Sequence, residues 1–109
     1  MSSQDELNTQ AWIGDAVLAL YVRLRILRDE GRVDGAKAER MSSNQFLSAC
    51  GQPTLVEAEI GRAYDRGGLE AAFQLIEEKL MPVFERREKR TISRDEFPRK
   101  RKKRTPPAW

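Results

Sequence analysis

The chain has 109 residues, of which 34% are charged and 39% belong to the hydrophobic set AVILMFWYC. That length allows one small domain with a tail and excludes a multidomain enzyme built round a large enclosed pocket, and the apolar content makes a modest core that a partner subunit would help to bury. With no histidine and one cysteine, paired-imidazole RNA cleavage, Ser-His-Asp hydrolysis, histidine-ligated metal sites, an internal disulfide and a zinc-thiolate site are excluded, and carboxylates remain the main candidates for chemistry.

The formal net charge of +3 conceals a division. Residues 1 to 85 carry 9 Lys and Arg against 14 Asp and Glu, whereas residues 86 to 109 carry 11 against 3. An acidic body followed by a basic tail implies that the tail meets a polyanion and that carboxylate chemistry belongs to the body. The N-terminal MSSQDELN lacks the pattern of a signal peptide, and the longest uncharged apolar run, Ala16 to Val22, is too short to span a bilayer. A soluble cytoplasmic protein is expected, with Cys50 as a small buried hydrophobe.

In chain order, Ile13, Val17, Leu20, Leu24 and Leu27 recur at helical spacing and predict an amphipathic helix from Leu7 to about Leu27. Trp12, Ala16 and Ala19 widen the stripe and Ala11, Leu18 and Val22 fill a third face, so this helix needs burial on more than one side. After a loop marked by Asp29, Gly31, Asp34 and Gly35, a mostly polar helix is expected from Ala36 to Ala49, with Met41, Phe46 and Leu47 inward. Gly51-Gln52-Pro53 stops it. A third helix follows from about Thr54 to Arg66 with Val56, Ile60 and Ala63 on one face, and Gly67-Gly68 ends it. The fourth runs from Leu69 to about Arg87, with Ala72, Leu75, Ile76, Leu80 and Phe84 inward and Pro82 as a kink or break. No strand-like alternation is found, and the fold class is all-α. The domain is placed at residues 1 to 88, and residues 89 to 109 form a basic, proline-containing tail expected to be disordered alone.

Asp15 is the only charged residue between Ala11 and Val22. An ionised carboxylate within so apolar a helix is costly unless compensated, which leaves open an ion pair with an arginine, a capping bond to a neighbouring helix, or a metal site. Glu57 shares a face with Gly61, opposite the Val56, Ile60 and Ala63 stripe. Thr54-Leu55-Val56-Glu57 also has the spacing of a capping box, in which Thr54 and Glu57 satisfy helix N-terminal amides reciprocally.

The segment Ala11-Trp12-Ile13-Gly14-Asp15-Ala16-Val17-Leu18 resembles the signature helix of the ribonuclease III family, usually Glu-Phe-Leu-Gly-Asp-Ala-Val-Leu. Residues 57 to 72, Glu-Ala-Glu-Ile-Gly-Arg-Ala-Tyr-Asp-Arg-Gly-Gly-Leu-Glu-Ala-Ala, are similar to the second signature, Glu-Ala-Leu-Ile-Gly-Ala followed by Tyr-Leu-Asp-Gly-Gly-Leu-Glu-Ala-Ala. The resemblance covers about residues 7 to 86. Of the family's four active-site carboxylates, Asp15 and Glu57 match, while Ala11 and Thr54 stand where a glutamate and an aspartate are usual. The Mini-ribonuclease III branch shows the same replacements and also lacks a separate double-stranded-RNA-binding domain. Residues 42 to 52 look like its middle helix. Pro53 joins that helix directly to the second motif, so the family's intervening segment, with its Arg-Gly-Arg-Asn-like stretch, has no counterpart.

The resemblance implies that Asp15 and Glu57 are catalytic and hold Mg²⁺, with Mn²⁺ as a substitute; two carboxylates suit a hard cation that keeps water and phosphate oxygens in its remaining positions. It places Trp12 and Ala16 at the interface of a two-fold homodimer, while the residues alone also leave Trp12 open as an ordinary core tryptophan of its own chain. The activity implied is endonucleolytic hydrolysis of double-stranded or structured RNA in ribosomal RNA processing, with possible ribosomal or pre-ribosomal association. The alternative is a catalytically silent RNA-binding or ribonucleoprotein component. The basic run Arg99, Lys100, Arg101, Lys102, Lys103 and Arg104 reads as a solubility tail, a nuclear-localisation-like run, or an electrostatic clamp on RNA phosphates. The clamp is favoured because the acidic body lacks the family's RNA-contacting segment.

Overall fold

A computed structural model describes the backbone of residues 3–96 and the side chains as far as residue 90. The expected boundary at residues 88 and 89 falls inside a helix that continues to Glu96, and the clamp residues Arg99 to Arg104 lie outside the described residues. The fold is all-helical among those residues: α1 (Ser3–Glu30), α2 (Gly35–Ser42), α3 (Asn44–Cys50), α4 (Pro53–Leu75), a π turn (Ile76–Leu80) and α5 (Met81–Glu96). None of these helices is long and apolar enough to cross a membrane.

Local chemistry explains where the helices begin and break. The single helix expected from Ala36 to Ala49 is two, because Ser43 adopts an extended conformation (φ −73°, ψ 159°) and its side chain accepts the Phe46 amide as the N-cap of α3. Gly67 (φ −140°, ψ 16°) and Gly68 leave the helical conformation where the helix was expected to end, so α4 is two helical stretches meeting at a kink; Gly68, at φ 73° and ψ −164°, occupies a conformation that essentially only glycine adopts. Pro82 acts upstream of itself. Its ring cannot face the carbonyl of residue 78 in a regular α turn, and the chain widens so that the Met81 amide donates to the Ile76 carbonyl, a π bulge in place of the expected kink.

The core combines Val17, Leu18, Tyr21, Val22 and Ile26 of α1 with Met41, Phe46 and Leu47, with Val56, Ile60, Ala63 and Ala72 of α4, and with Ile76, Leu80, Met81 and Phe84. Leu20, Leu24 and Leu27, expected inward, are exposed. The inner face of α1 is set by its crossing with α4 rather than by the apolar period alone. A Cβ built on Gly14 would lie 1.7 Å from the Glu57 carbonyl oxygen, and one on Gly61 would lie 2.0 Å from that of Gln10. Backbones this close admit no side chain at either position, and buried Ala11 and Ala58 keep the rest of the crossing shallow. Turning Gly14 inward carries Trp12, Ala16, Leu20, Leu24 and Leu27 outward.

Candidate active site

The glycine crossing brings Asp15 and Glu57 together. Asp15 follows Gly14, the residue seated on the Glu57 carbonyl, so the two carboxyl groups emerge beside each other from adjacent helices. The two side chains lie within hydrogen-bonding reach, a bond that forms when one carboxyl is protonated and donates to the other. Burial, the neighbouring Asp15 charge and that hydrogen bond push the Glu57 carboxyl up from 4.5 to about 7. Among the described residues, neither carboxyl group has a lysine or arginine ion-pair partner.

Two expectations about this pair are corrected. Asp15 is exposed, and Glu57 is the half-buried member. Only one side of α1 is covered by the chain, and Asp15 lies at the edge of the covered side, so the cost of its charge is met by water and not by an arginine or a helix cap. The Thr54–Glu57 capping box does not form. Gln52 is the N-cap of α4, its Oε1 accepting the Leu55 amide at 2.9 Å, and Pro53 and Thr54 are already helical. Pro53 has no amide to satisfy at the first turn, which moves the cap one residue before it. Glu57 therefore has no capping duty.

The crossing is pinned on both sides. Gln10 Nε2 donates to Asp65 Oδ2 at 2.8 Å, joining α1 to α4 one turn before the carboxyl pair. Beyond it, the Tyr21 hydroxyl donates to Glu77 of the π turn, and Arg25 donates to the Tyr21 oxygen at 3.2 Å and to Glu85 of α5 at 2.7 Å. Burial and the bond to Glu77 push the Tyr21 hydroxyl up to about 12. Burial alone would lower the Arg25 guanidinium, but its bonds to Glu85 and Tyr21 outweigh this and raise it. This network leaves little trace in the sequence. Its only local signal is that Tyr21 and Arg25 are polar groups one turn apart on the inner face; Glu77 and Glu85 are too distant in the chain for any spacing rule to pair them.

Trp12 is 76% exposed, and Ala16 is exposed beside it. With Leu20, Leu24 and Leu27, each between 40% and 48% exposed, they form an apolar stripe along the outer side of α1, whose far end at Leu27 lies beside Val33 and Ala38. Cys50 is half-buried against the core, and burial pushes its thiol up.

No family model, no curated protein and no solved structure matches the chain. What the site can do follows from its own residues. No three ligating side chains converge anywhere among the described residues. Two adjacent carboxyls that lack a cationic neighbour among the described residues could serve as donors to one hard divalent ion, which would compete with the Glu57 proton and leave most of its shell to water or phosphate oxygens.

Proposed function

We propose that this chain is a Mg²⁺-dependent endoribonuclease of the ribonuclease III type, nearest the Mini-ribonuclease III branch, acting on double-stranded or structured RNA such as precursor ribosomal RNA. The observation that supports this reading best is the juxtaposition of Asp15 and Glu57 at a glycine-lined helix crossing, free of ion pairs and of capping duty. Mg²⁺, with Mn²⁺ as a substitute, would be held by these two carboxylates and would supply an acidified water and charge neutralisation at the scissile phosphate. The chain's own residues have separate tasks. Asp15, exposed, is the carboxylate that an incoming phosphate meets first; Glu57, half-buried, gives up its proton near neutral pH and completes the anionic pair. Gly14 and Gly61 fix their separation by allowing the backbones to touch, and the Gln10–Asp65 and Tyr21–Glu77 bonds hold the helices in that register.

The exposed stripe of Trp12, Ala16, Leu20, Leu24 and Leu27 supports a two-fold homodimer, since an apolar strip on one helix is self-complementary about a two-fold axis. Each subunit would then offer one carboxylate pair to one RNA strand. The basic run from Arg99 to Arg104 would clamp phosphates.

A second reading is favoured by one observation: Ala11 and Thr54 add no carboxylate to the pair, leaving only two ligating side chains. On that reading the chain binds structured RNA, alone or in a ribonucleoprotein, without cutting it. Incubation of long double-stranded RNA with the protein, with and without Mg²⁺ or Mn²⁺, separates the two. Metal-dependent fragments are expected from the parent and none from Asp15→Asn or Glu57→Gln, each of which keeps side-chain shape and should retain the parent's sedimentation behaviour. Cleavage persisting in either variant would remove these residues from the site; binding without cleavage by the parent would establish the second reading.

A further inference from the structure

Helix α5 carries Glu85, Arg86, Arg87, Glu88, Lys89 and Arg90 in succession, and the fold separates these charges by face. Both glutamates are engaged with the body: Glu85 accepts from Arg25 at 2.7 Å and Glu88 from Arg40 at 3.1 Å. Arg87 is half-buried on the side of Cys50. Arg86, Lys89 and Arg90 are exposed, and none has an ion-pair partner among the described residues. Spaced i, i+3 and i+4, they share one helix face within a turn, an arrangement that repels itself in isolation and is relieved by an external anion.

We propose that Arg86, Lys89 and Arg90 form a phosphate-docking ridge for duplex RNA on the folded body, separate from the basic run at residues 99 to 104. The proposal rests on the RNA-binding part of the function above. Residues 1 to 85 are net acidic, so a polyanion would need a local cluster of exposed, unpaired cations to meet the body, and three such side chains within one turn provide one. The choice of RNA over an anionic membrane follows from what surrounds the cations. A helix that lies on lipid exposes a broad apolar face, whereas Leu80, Met81 and Phe84 are buried in the core. Placement agrees as well. The Arg25–Glu85 bond ties α5 to α1 at a point ten residues beyond Asp15, about 15 Å along the helix axis. One duplex lying along the body could therefore reach both the ridge and the carboxyl pair.

The test is fluorescence anisotropy of the full chain with a short blunt RNA duplex, in EDTA so that binding is read without hydrolysis, over a salt series. The triple variant Arg86→Gln, Lys89→Gln, Arg90→Gln should flatten the slope of log affinity against log salt by about 2 to 3, from roughly 0.7 to 0.9 per lost phosphate contact. A control, Arg28→Gln with Lys79→Gln, removes cations already paired with Asp29 and Glu59 and should leave the slope unchanged. An unchanged slope in the triple variant, equal flattening per charge in the control, or no duplex binding by the parent would overturn the ridge. So would capture by phosphatidylglycerol vesicles that the triple variant loses while its RNA slope stays at the parent value. The nuclease reading fails separately: a parent that binds through the ridge but cuts nothing in Mg²⁺ leaves this inference standing, and a parent that cuts while its ridge variant keeps the full slope overturns the ridge alone.

Discussion

The inner and outer faces of α1 are both apolar and are built from different residues. Inside, Ala11 and Gly14 bring backbone against backbone, and Leu18, Val22 and Ile26 fill the core behind them. Outside, Trp12, Leu20, Leu24 and Leu27 stand in solvent. Small residues specify a contact by admitting a neighbour at one register only; large exposed ones supply area that becomes favourable only when something covers it. The inner face therefore positions Asp15 against Glu57 within a chain, and the outer face would, in the proposed dimer, bring two such pairs together.

The inner face should be the more brittle. Gly14→Ala places a methyl group 1.7 Å from a backbone carbonyl that has no rotamer to move into. The destabilisation should reach or exceed the upper end of ordinary overpacking, about 3 kcal/mol, a large fraction of what a domain of this size possesses. Urea unfolding followed by circular dichroism measures it. A variant as stable as the parent would mean that the helices do not cross in contact at Gly14, and the account of the carboxyl pair would go with it.

The outer face should respond differently. A tryptophan buried within its own chain costs roughly 3 to 5 kcal/mol of fold stability on truncation. Trp12 is exposed, so Trp12→Ala should change the stability of the isolated subunit by less than about 0.5 kcal/mol while weakening the proposed dimer by about 2 kcal/mol, some thirtyfold in dissociation constant. Sedimentation across a concentration series gives the second quantity. If the fold is lost and association is unaffected, the two faces have been assigned the wrong way round.

A smaller effect probes the carboxyl pair at the edge between the faces. The Glu57 carboxyl titrates near 7 in the folded chain and near 4.5 when free. The folded state thus holds a proton that the unfolded chain releases over that interval, and the associated stability is present below about pH 4.5 and lost as pH rises through about 7. Because Glu57 is partly solvated, the loss should be modest, on the order of 1 kcal/mol after solvent screening. Glu57→Gln should flatten thermal stability between those pH values, and Mg²⁺, competing with the proton, should partly restore the parent's stability above pH 7. Identical pH profiles for parent and variant would show that the carboxyl groups do not interact.

Much of this arrangement was legible in the sequence where one period had one solution. Val56, Ile60 and Ala63, and later Ala72, Ile76, Leu80 and Phe84, are inward as their spacing requires. The failure came in α1, where nearly every position from Ala11 to Val22 is apolar. A period cannot choose a face there, and the stripe through Leu20, Leu24 and Leu27 proved to be the outer one. The face is chosen by Gly14 meeting Gly61, a tertiary contact. The resemblance singled out Asp15 and Glu57 as a pair, but which would be exposed depended on how far the crossing covers α1. Tyr21 and Glu77 have no sequence relation at all; the π bulge before Pro82 brings them together.

The smallest expected effect is at Thr54, and it bears on whether Glu57 is available to Asp15. Had Thr54 capped α4, Thr54→Ala would cost about 1 kcal/mol and Glu57 would be committed to the helix terminus. With Gln52 accepting the Leu55 amide, Thr54 lies inside the first turn and its hydroxyl is not needed there. Thr54→Ala should therefore stay within about 0.5 kcal/mol of the parent, the range of ordinary surface changes, whereas Gln52→Ala should cost about 0.5 to 1 kcal/mol, toward the low end for a lost cap. Paired thermal melts decide the ordering. If Thr54→Ala is the costlier change, the helix begins two residues later than described and Glu57 is drawn toward its own N-terminus. The raised Glu57 carboxyl would then need a different explanation.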